Sequence, residues 1–249
     1  MFQKILNRTL LSTALFLLLS VYAGATIVVI APHPDDAESS CGGMIANAVA
    51  SGERVIILTM TKGEIGISGK SIKEAANIRE EEARQGAAIL GAEIEFFGAM
   101  DGSLYDDSTN TGKLKDILLR LKPRFVFAPW PLDVHNDHQS SGMLAWRVFM
   151  DKALNFELYF YETSNEPNTM SFRFIPTDYI DISLAMDKKR EATLKHVSQS
   201  ASEWFPMYEL MASFRGYEAN VHYAEGYIKA QNSDGMGGRA AVVKKIFEK

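Results

Sequence analysis

The sequence predicts a single α/β domain, a Rossmann-like, mostly parallel sheet with helices on both faces. Three observations predict it. From Ile27 onward, short β-branched runs alternate with longer helical stretches. Those runs are apolar without interruption, as strands buried on both faces are. Four β-then-α units also follow one another, the signature of a parallel sheet built from crossover connections.

Each element has its own signal. Residues 27–31 form a continuous apolar run ending at a polar cluster, and residues 36–51 read as a helix with acids in its first turn and Gly52 just past its end. Residues 54–60 are a second buried strand. Residues 71–90 are a long helix, with apolar positions at Ala75, Ile78, Ala83, Ala87 and Leu90 and a stop at Gly91. A strand at 93–97, a helix at 113–121, a strand at 124–129, a helix at 138–150 and a strand at Glu157–Tyr161 continue the alternation. Beyond Glu162 the pattern loosens: residues 172–175 and 179–182 suggest a strand pair, 185–198 an amphipathic helix and 225–230 a last strand.

The chain has 249 residues, 47% of them hydrophobic, enough to bury one sizeable core. Its net charge of −5 gives no basis for binding a nucleic-acid backbone. Residues 1–25 differ in composition. Lys4 and Arg8 precede an uncharged, Leu-rich run from Leu10 to Tyr22, and Ala23-Gly24-Ala25 offers a small-x-small cleavage pattern. The expectation is a signal peptide and an exported protein, with membrane contact only through this segment if it is kept. The folded domain then spans 26–230, and 231–249 is a Gly-containing tail. Cys41 is the single cysteine, so no internal disulfide forms, and its place in the first helix predicts burial.

Open parallel sheets bind ligands beyond the carboxyl ends of their strands. Two polar clusters fall there: His33-Pro34-Asp35-Asp36 after the first strand, and Asp133-Val134-His135-Asn136-Asp137-His138 after the fourth. Imidazole and carboxylate are the usual donors to a borderline divalent metal, and three protein ligands with one open position describe catalytic zinc. A second carboxylate is then needed to take a proton from water. The plainer alternative is that Asp35 and Asp36 cap the following helix and that His135 and His138 are solvated. No G-x-G-x-x-G follows the first strand, which argues against a dinucleotide-binding oxidoreductase.

Ala31-x-His33-Pro34-Asp35-Asp36, with Glu38 and Cys41-Gly42-Gly43, resembles the first motif of the PIG-L / LmbE-like de-N-acetylases, and His135-Asn136-Asp137-His138 resembles their second. Gly63-Glu64-x-Gly66, Arg79-x-x-Glu82, Asp101-Gly102, Ser198-Gln199 and Tyr223-Ala224-Glu225-x-Tyr227 follow the family's order, so the resemblance runs from about residue 27 to 228. It implies an N-deacetylase acting on an N-acetylglucosamine-type amino sugar, with Zn2+ (or Fe2+) held by His33, Asp36 and His138. It further implies Asp35 as general base, His135 as oxyanion stabiliser or general acid, and Asp137 as the residue orienting His135. Arg79, Glu64 and Asp101 would contact substrate, although Arg79 on its own also reads as a helix-surface arginine paired with Glu82 or another nearby acid. Some family members polarise the substrate carbonyl with a tyrosine, for which Tyr223 is a candidate. Trp130 and Trp204 are candidates for a sugar-stacking platform, against the commoner place of tryptophan in a core or rim, and His222 is a candidate pocket residue. Two rival functions remain open: another metal-dependent amide or ester hydrolase on this fold, and a carbohydrate-binding relative without turnover.

Overall fold

Alternate side chains of the first strand point into two separate cores, and this places helices on both faces. In the computed structural model, which describes residues 24–151, 153–166, 169–170 and 173–231, β1 (Thr26–Ala31) sends Ile27 and Val29 to one side and Val28 and Ile30 to the other. The predicted leader and tail lie outside the described residues, except for Gly24, Ala25 and Gln231.

The βα alternation follows in order. α1 (Asp36–Ala50), β2 (Arg54–Thr59), α2 (Ile72–Leu90), β3 (Glu93–Phe96), α3 (Ser108–Leu121), β4 (Phe125–Pro129), α4 (Asn136–Phe149) and β5 (Glu157–Tyr161) fall close to where the apolar periodicity puts them, except that α3 starts before its expected position at 113, because its first turn is polar and capped by Asp107. The local chemistry explains the ends of α2. Ser71 and Glu74 form a reciprocal capping box, and Gly91 closes the helix in the left-handed region at φ 77°. Helices α1 and α2 cover the first core, where Met44, Ile45, Ala87 and Leu90 meet Ile27 and Val29. Helices α3 and α4 cover the second, where Leu114, Leu118, Leu144 and Val148 meet Val28 and Ile30.

The second half departs from the sequence reading. A short hairpin pairs β6 (Ser164–Glu166) with β7 (Thr169–Met170). The expected pair of strands at 172–175 and 179–182 does not form: Phe172 lies outside the described residues, 173–175 is not a strand, and β8 (Asp178–Asp181) pairs with a later segment. The helix expected over 185–198 divides into α5 (Met186–Thr193) and a 3₁₀ turn (Val197–Gln199), and the break buries His196 completely. A 19-residue helix that the pattern does not announce, α6 (Ala201–Ala219), comes next, followed by β9 (Ala224–Lys229). No helix among the described residues is long and apolar enough to cross a membrane.

The sheet order is β3-β2-β1-β4-β5-β9-β8. The first five strands are parallel, and β9 runs antiparallel to both β5 and β8. The chain moves outward from β1 through β2 to β3, then returns to lay β4 on the other side of β1. The strand order therefore reverses between β1 and β4, and the crevice beyond their carboxyl ends is the ligand position of this kind of sheet. The loops carrying His33 and His138 leave from those two neighbouring strands.

Candidate metal centre

The loop after β1 turns sharply at Asp35, which has φ 111° although it is not glycine. Such a conformation stores strain and persists only where its surroundings enforce it. Asp35 occupies the N-cap position of α1 but makes no capping hydrogen bond, so the plain helix-cap reading does not describe it. Its Oδ2 instead lies 3.1 Å from Arg79 Nη2. The Asp36 carboxylate turns back into the loop and accepts the His33 backbone N–H at 2.9 Å.

Asp36 Oδ2 also stands between two imidazoles, 3.4 Å from His33 Nδ1 and 3.3 Å from His138 Nε2. The outward nitrogens of both rings are held by other carboxylates. His33 Nε2 faces Asp137 Oδ2 at 3.1 Å and Asp101 Oδ1 at 3.2 Å. His138 Nδ1 faces Asp133 Oδ2 at 3.3 Å and Thr163 Oγ1 at 3.2 Å, and Thr163 donates in turn to Asp133. An imidazole whose far nitrogen is held by a carboxylate is the usual arrangement of a metal-ligating histidine.

Two donor sets share His33. Nitrogens of His33, His135 and His138 lie within 4.8 Å of one another, and so do donors of His33, Asp101 and Asp137. The second set is already engaged, because Asp137 accepts the N–H groups of Gly102 at 2.7 Å and Leu104 at 3.1 Å, and Asp101 accepts that of Ile65 at 3.2 Å. The side bounded by Asp36, His138 and His135 is the better place for a cation.

The electrostatics of the protein alone also suit a cation. Burial pushes the His33 pKa down, but hydrogen bonds from Asp101, Asp137 and Asp36 outweigh it and raise it well above 6.5. His138 behaves alike: the Asp36 charge and Asp133 overcome burial and bring it to about 9. For Asp36, burial is outweighed by His138 and His33, which hold its carboxyl well below the usual range. Asp35 goes the other way, pushed by burial up to about 6 against the pull of Arg79. Five aspartates (35, 36, 101, 133 and 137) thus crowd three imidazoles and one guanidinium, and a divalent cation fits that surplus of negative charge.

His135 accepts the Asp137 backbone N–H on Nδ1 at 3.1 Å, which leaves its proton on Nε2. Its pKa is lowered by burial and by the charges of His33 and His138, so the ring is neutral. The Asp137 side chain orients His33, not His135, contrary to the expectation; only its backbone serves His135. Asp101 likewise contacts His33, so it supports a candidate ligand as well as lining the cleft.

Arg79 is not a surface residue paired with Glu82. It is buried, donating from Nη1 to Gly63 C=O at 3.2 Å and from Nη2 to Pro34 C=O at 2.7 Å as well as to Asp35. Gly63 and Gly66 make room for it: a Cβ on either would lie 2.1 or 2.6 Å from Nη1. Glu82 instead takes the N–H and hydroxyl of Ser198. Glu64 is not brought to the cleft, because its carboxylate folds back onto the Lys62 N–H at 3.0 Å.

The cleft above these groups has a volume of about 400 Å³. Tyr208 and Trp204 of α6 line it, as do Ser39, Ser164 and Gln199. Tyr223 and His222 do not; Tyr223 packs on the first core with the His222 ring against it. Cys41 is buried, as its helix position predicts. Tyr208 was missed from sequence because it sits on the unannounced helix and belongs to no motif that marks it.

The family model described as PIG-L, GlcNAc-PI de-N-acetylase, matches residues 28–149. A protein of Thermococcus kodakarensis named diacetylchitobiose deacetylase is 28% identical over 216 residues, 80% of this chain and 81% of that protein. A protein of Pseudomonas putida named 4-oxalmesaconate hydratase is 28% identical over 231 residues, 80% of this chain and 86% of its own length. The crystal structure of a conserved protein from Thermus thermophilus is 30% identical, superposes with a TM-score of 0.71, and is matched over 87% of this chain and 100% of that one.

Proposed function

From membership of the PIG-L family, to which this chain belongs, we infer that it is a zinc-dependent hydrolase that removes the N-acetyl group from an N-acetylglucosamine-type amino sugar or glycoconjugate. That it is a deacetylase of N-acetylated sugars follows from its relatives. The zinc and the residue roles rest on one observation: Asp36 Oδ2 stands between His33 Nδ1 and His138 Nε2 while carboxylates hold the far nitrogens of both rings. His33, Asp36 and His138 are the proposed ligands. Zinc bound there supplies the Lewis acidity that brings the pKa of water to about 7, and the same donors accept ferrous iron.

The chain's own groups account for the proton movements. Asp35, whose carboxyl is pushed by burial up to about 6 in the metal-free protein, is placed as the group that takes a proton from attacking water, the part of a general base. Arg79 fixes the carboxylate in place. His135 carries its proton on Nε2 and donates it as a hydrogen bond where the acyl oxygen becomes negative, the part of an oxyanion-hole donor. Protonated Asp35 then returns its proton to the leaving amine.

The relative named a hydratase suggests a second reading, which the cleft disfavours. Its named substrate is an oxyacid. Among the described residues that line this cleft, Arg79 is the only Lys or Arg, and it is engaged by Asp35 and two carbonyls. A neutral amide suits such an acidic floor better. We place the protein outside the cytosol, acting on envelope or external glycans, on the strength of residues 1–25; intact protein confined to the cytosol on fractionation would remove that placement.

The test is acetate release from N-acetylglucosamine, N,N'-diacetylchitobiose and an N-acetylglucosaminyl lipid, with metal content measured in parallel. About one zinc per chain and release from at least one of the three are expected, with both lost in the His33→Ala, His138→Ala double variant. Zinc-loaded protein that releases no acetate from any of them overturns the reading.

A further inference from the structure

The fold separates Trp130 from Trp204, the two tryptophans that are candidates for stacking on a sugar. Trp130 stands edge-on to Phe160 and Phe174, with ring centroids 5.6 and 6.1 Å away, and does not line the cleft. Trp204 does line it. It lies four residues before Tyr208 on α6, so the two side chains share one helix face about 6 Å apart along the axis, roughly the span of one sugar ring. Tyr208 is the inner of the pair. Its hydroxyl accepts the Ser164 N–H at 3.0 Å and donates to the Ser164 C=O at 3.2 Å, and the charges of Asp36 and Asp35 bear on it.

Trp204 is placed to offer ring surface instead of polarity. Its indole N–H is taken by the Gln199 C=O at 2.9 Å, and its ring meets Tyr208 at 5.6 Å with planes 64° apart. The turn that carries Gln199 is firmly held. Glu82 of α2 accepts the Ser198 N–H at 2.7 Å and its hydroxyl at 2.6 Å, and the Gln199 amide reaches across to Gly66 C=O at 3.2 Å. Ile65, exposed at the rim, adds apolar surface to a cleft whose floor is carboxylate and imidazole.

Resting on the deacetylase reading, we propose that Trp204 forms a sugar subsite one ring outward from the metal centre, where the pyranose bearing the acetamido group stacks its C–H face on the indole. A pyranose with equatorial hydroxyls has such an apolar face, and an acyclic N-acetyl amine does not. Trp204 therefore sets selectivity for a ring, and the side-chain amide oxygen of Gln199, whose N–H groups are taken by Gly66 C=O and Ser198 Oγ, accepts from a hydroxyl at its edge.

The test compares N,N'-diacetylchitobiose with N-acetylethanolamine as substrates of the zinc-loaded protein and its Trp204→Ala, Trp204→Phe and Trp130→Phe variants. Trp204→Ala should raise KM for the sugar about three- to ten-fold, in the range of a lost aromatic contact, with kcat within two-fold. Trp204→Phe should recover most of that loss, and N-acetylethanolamine turnover should not change. Equal losses on both substrates, or no loss on the sugar, overturn the subsite. If the wild type releases acetate from neither substrate, the deacetylase reading fails and tryptophan emission decides the subsite alone. Diacetylchitobiose should then change the emission of Trp130→Phe and leave that of Trp204→Phe unchanged; no change in Trp130→Phe overturns the proposal.

Discussion

Asp35 joins three properties in one residue: backbone strain at φ 111°, a buried carboxyl pushed up to about 6, and contact with Arg79. The strain and the buried charge disfavour the fold, so the residue should trade stability for function. Its folded pKa is above the unfolded 3.8, so the proton binds more tightly in the native state; stability is greatest below 3.8 and falls as pH rises through about 6. At 1.36 kcal/mol per pH unit the ionised group costs the metal-free fold about 3 kcal/mol at pH 7. Asp35→Asn should therefore raise the melting temperature of metal-free protein at pH 7, by about 5 °C or more, and leave it unchanged near pH 4. Asn is also tolerated better than most residues at positive φ. Acetate release should fall at least 100-fold in the same variant. Calorimetry at the two pH values, with an activity assay, checks both halves; a lower melting temperature at pH 7 would contradict the assignment of Asp35 as a strained, costly base.

A buried ion pair joins α1, α5 and β9. Glu225 takes Lys189 Nζ at 2.6 Å and the Gly43 N–H at 2.9 Å on one oxygen, and the Met44 N–H and Tyr227 hydroxyl, both at 2.8 Å, on the other. Lys189 is only 2% exposed, so removing its partner strands a charge among apolar groups. Glu225→Ala should cost about 3–5 kcal/mol, read as a lower urea midpoint. The Glu225→Gln, Lys189→Met double variant should lose clearly less, since it removes both charges. This network holds the last strand and α5 against the helix that begins at the metal centre. The neighbouring α6 shows why an element can be present without a sequence signal: Phe205, Tyr208 and Ala212 are buried while Leu210, Phe214 and Tyr217 are exposed, and Pro206 lies inside it. Apolar residues on both sides leave no 3.6-residue stripe to recognise.

Across the whole molecule, the metal centre joins the two halves of the sheet, since its candidate ligands come from the loops after β1 and β4. A cation bound only by the native state stabilises the fold by mass action, by about 2.7 kcal/mol at one hundred times Kd. Zinc should therefore raise the melting temperature by about 5–10 °C, an increase that chelation reverses and the His33→Ala, His138→Ala variant lacks. Zinc must also displace protons, because His33 and His138 are held above 6.5, the latter at about 9. In metal-free protein the stability from His138 is complete below 6.5 and is lost as pH rises through about 9. Zinc affinity runs oppositely, strengthening from pH 6 to 8 by up to about tenfold per pH unit for each proton released. Titration calorimetry in buffers of different ionisation heat should detect that release; affinity independent of pH would exclude these imidazoles as ligands.

The βα alternation, the two polar clusters at strand ends and the helix stop at Gly91 are legible in the residues alone. Those features are local: a strand buried on both faces must be apolar throughout, and a helix must satisfy its own ends. That β4 lies beside β1, which brings His33 and Asp137 to 3.1 Å across 104 positions of chain, is a matter of three-dimensional packing. The same packing makes Asp137 serve His33 instead of His135, buries Arg79 against Asp35 while Glu64 turns away, and brings Tyr208 and Trp204 of α6 to the cleft. Such partners are chosen by packing between distant segments, and packing leaves no period in the sequence from which they can be read.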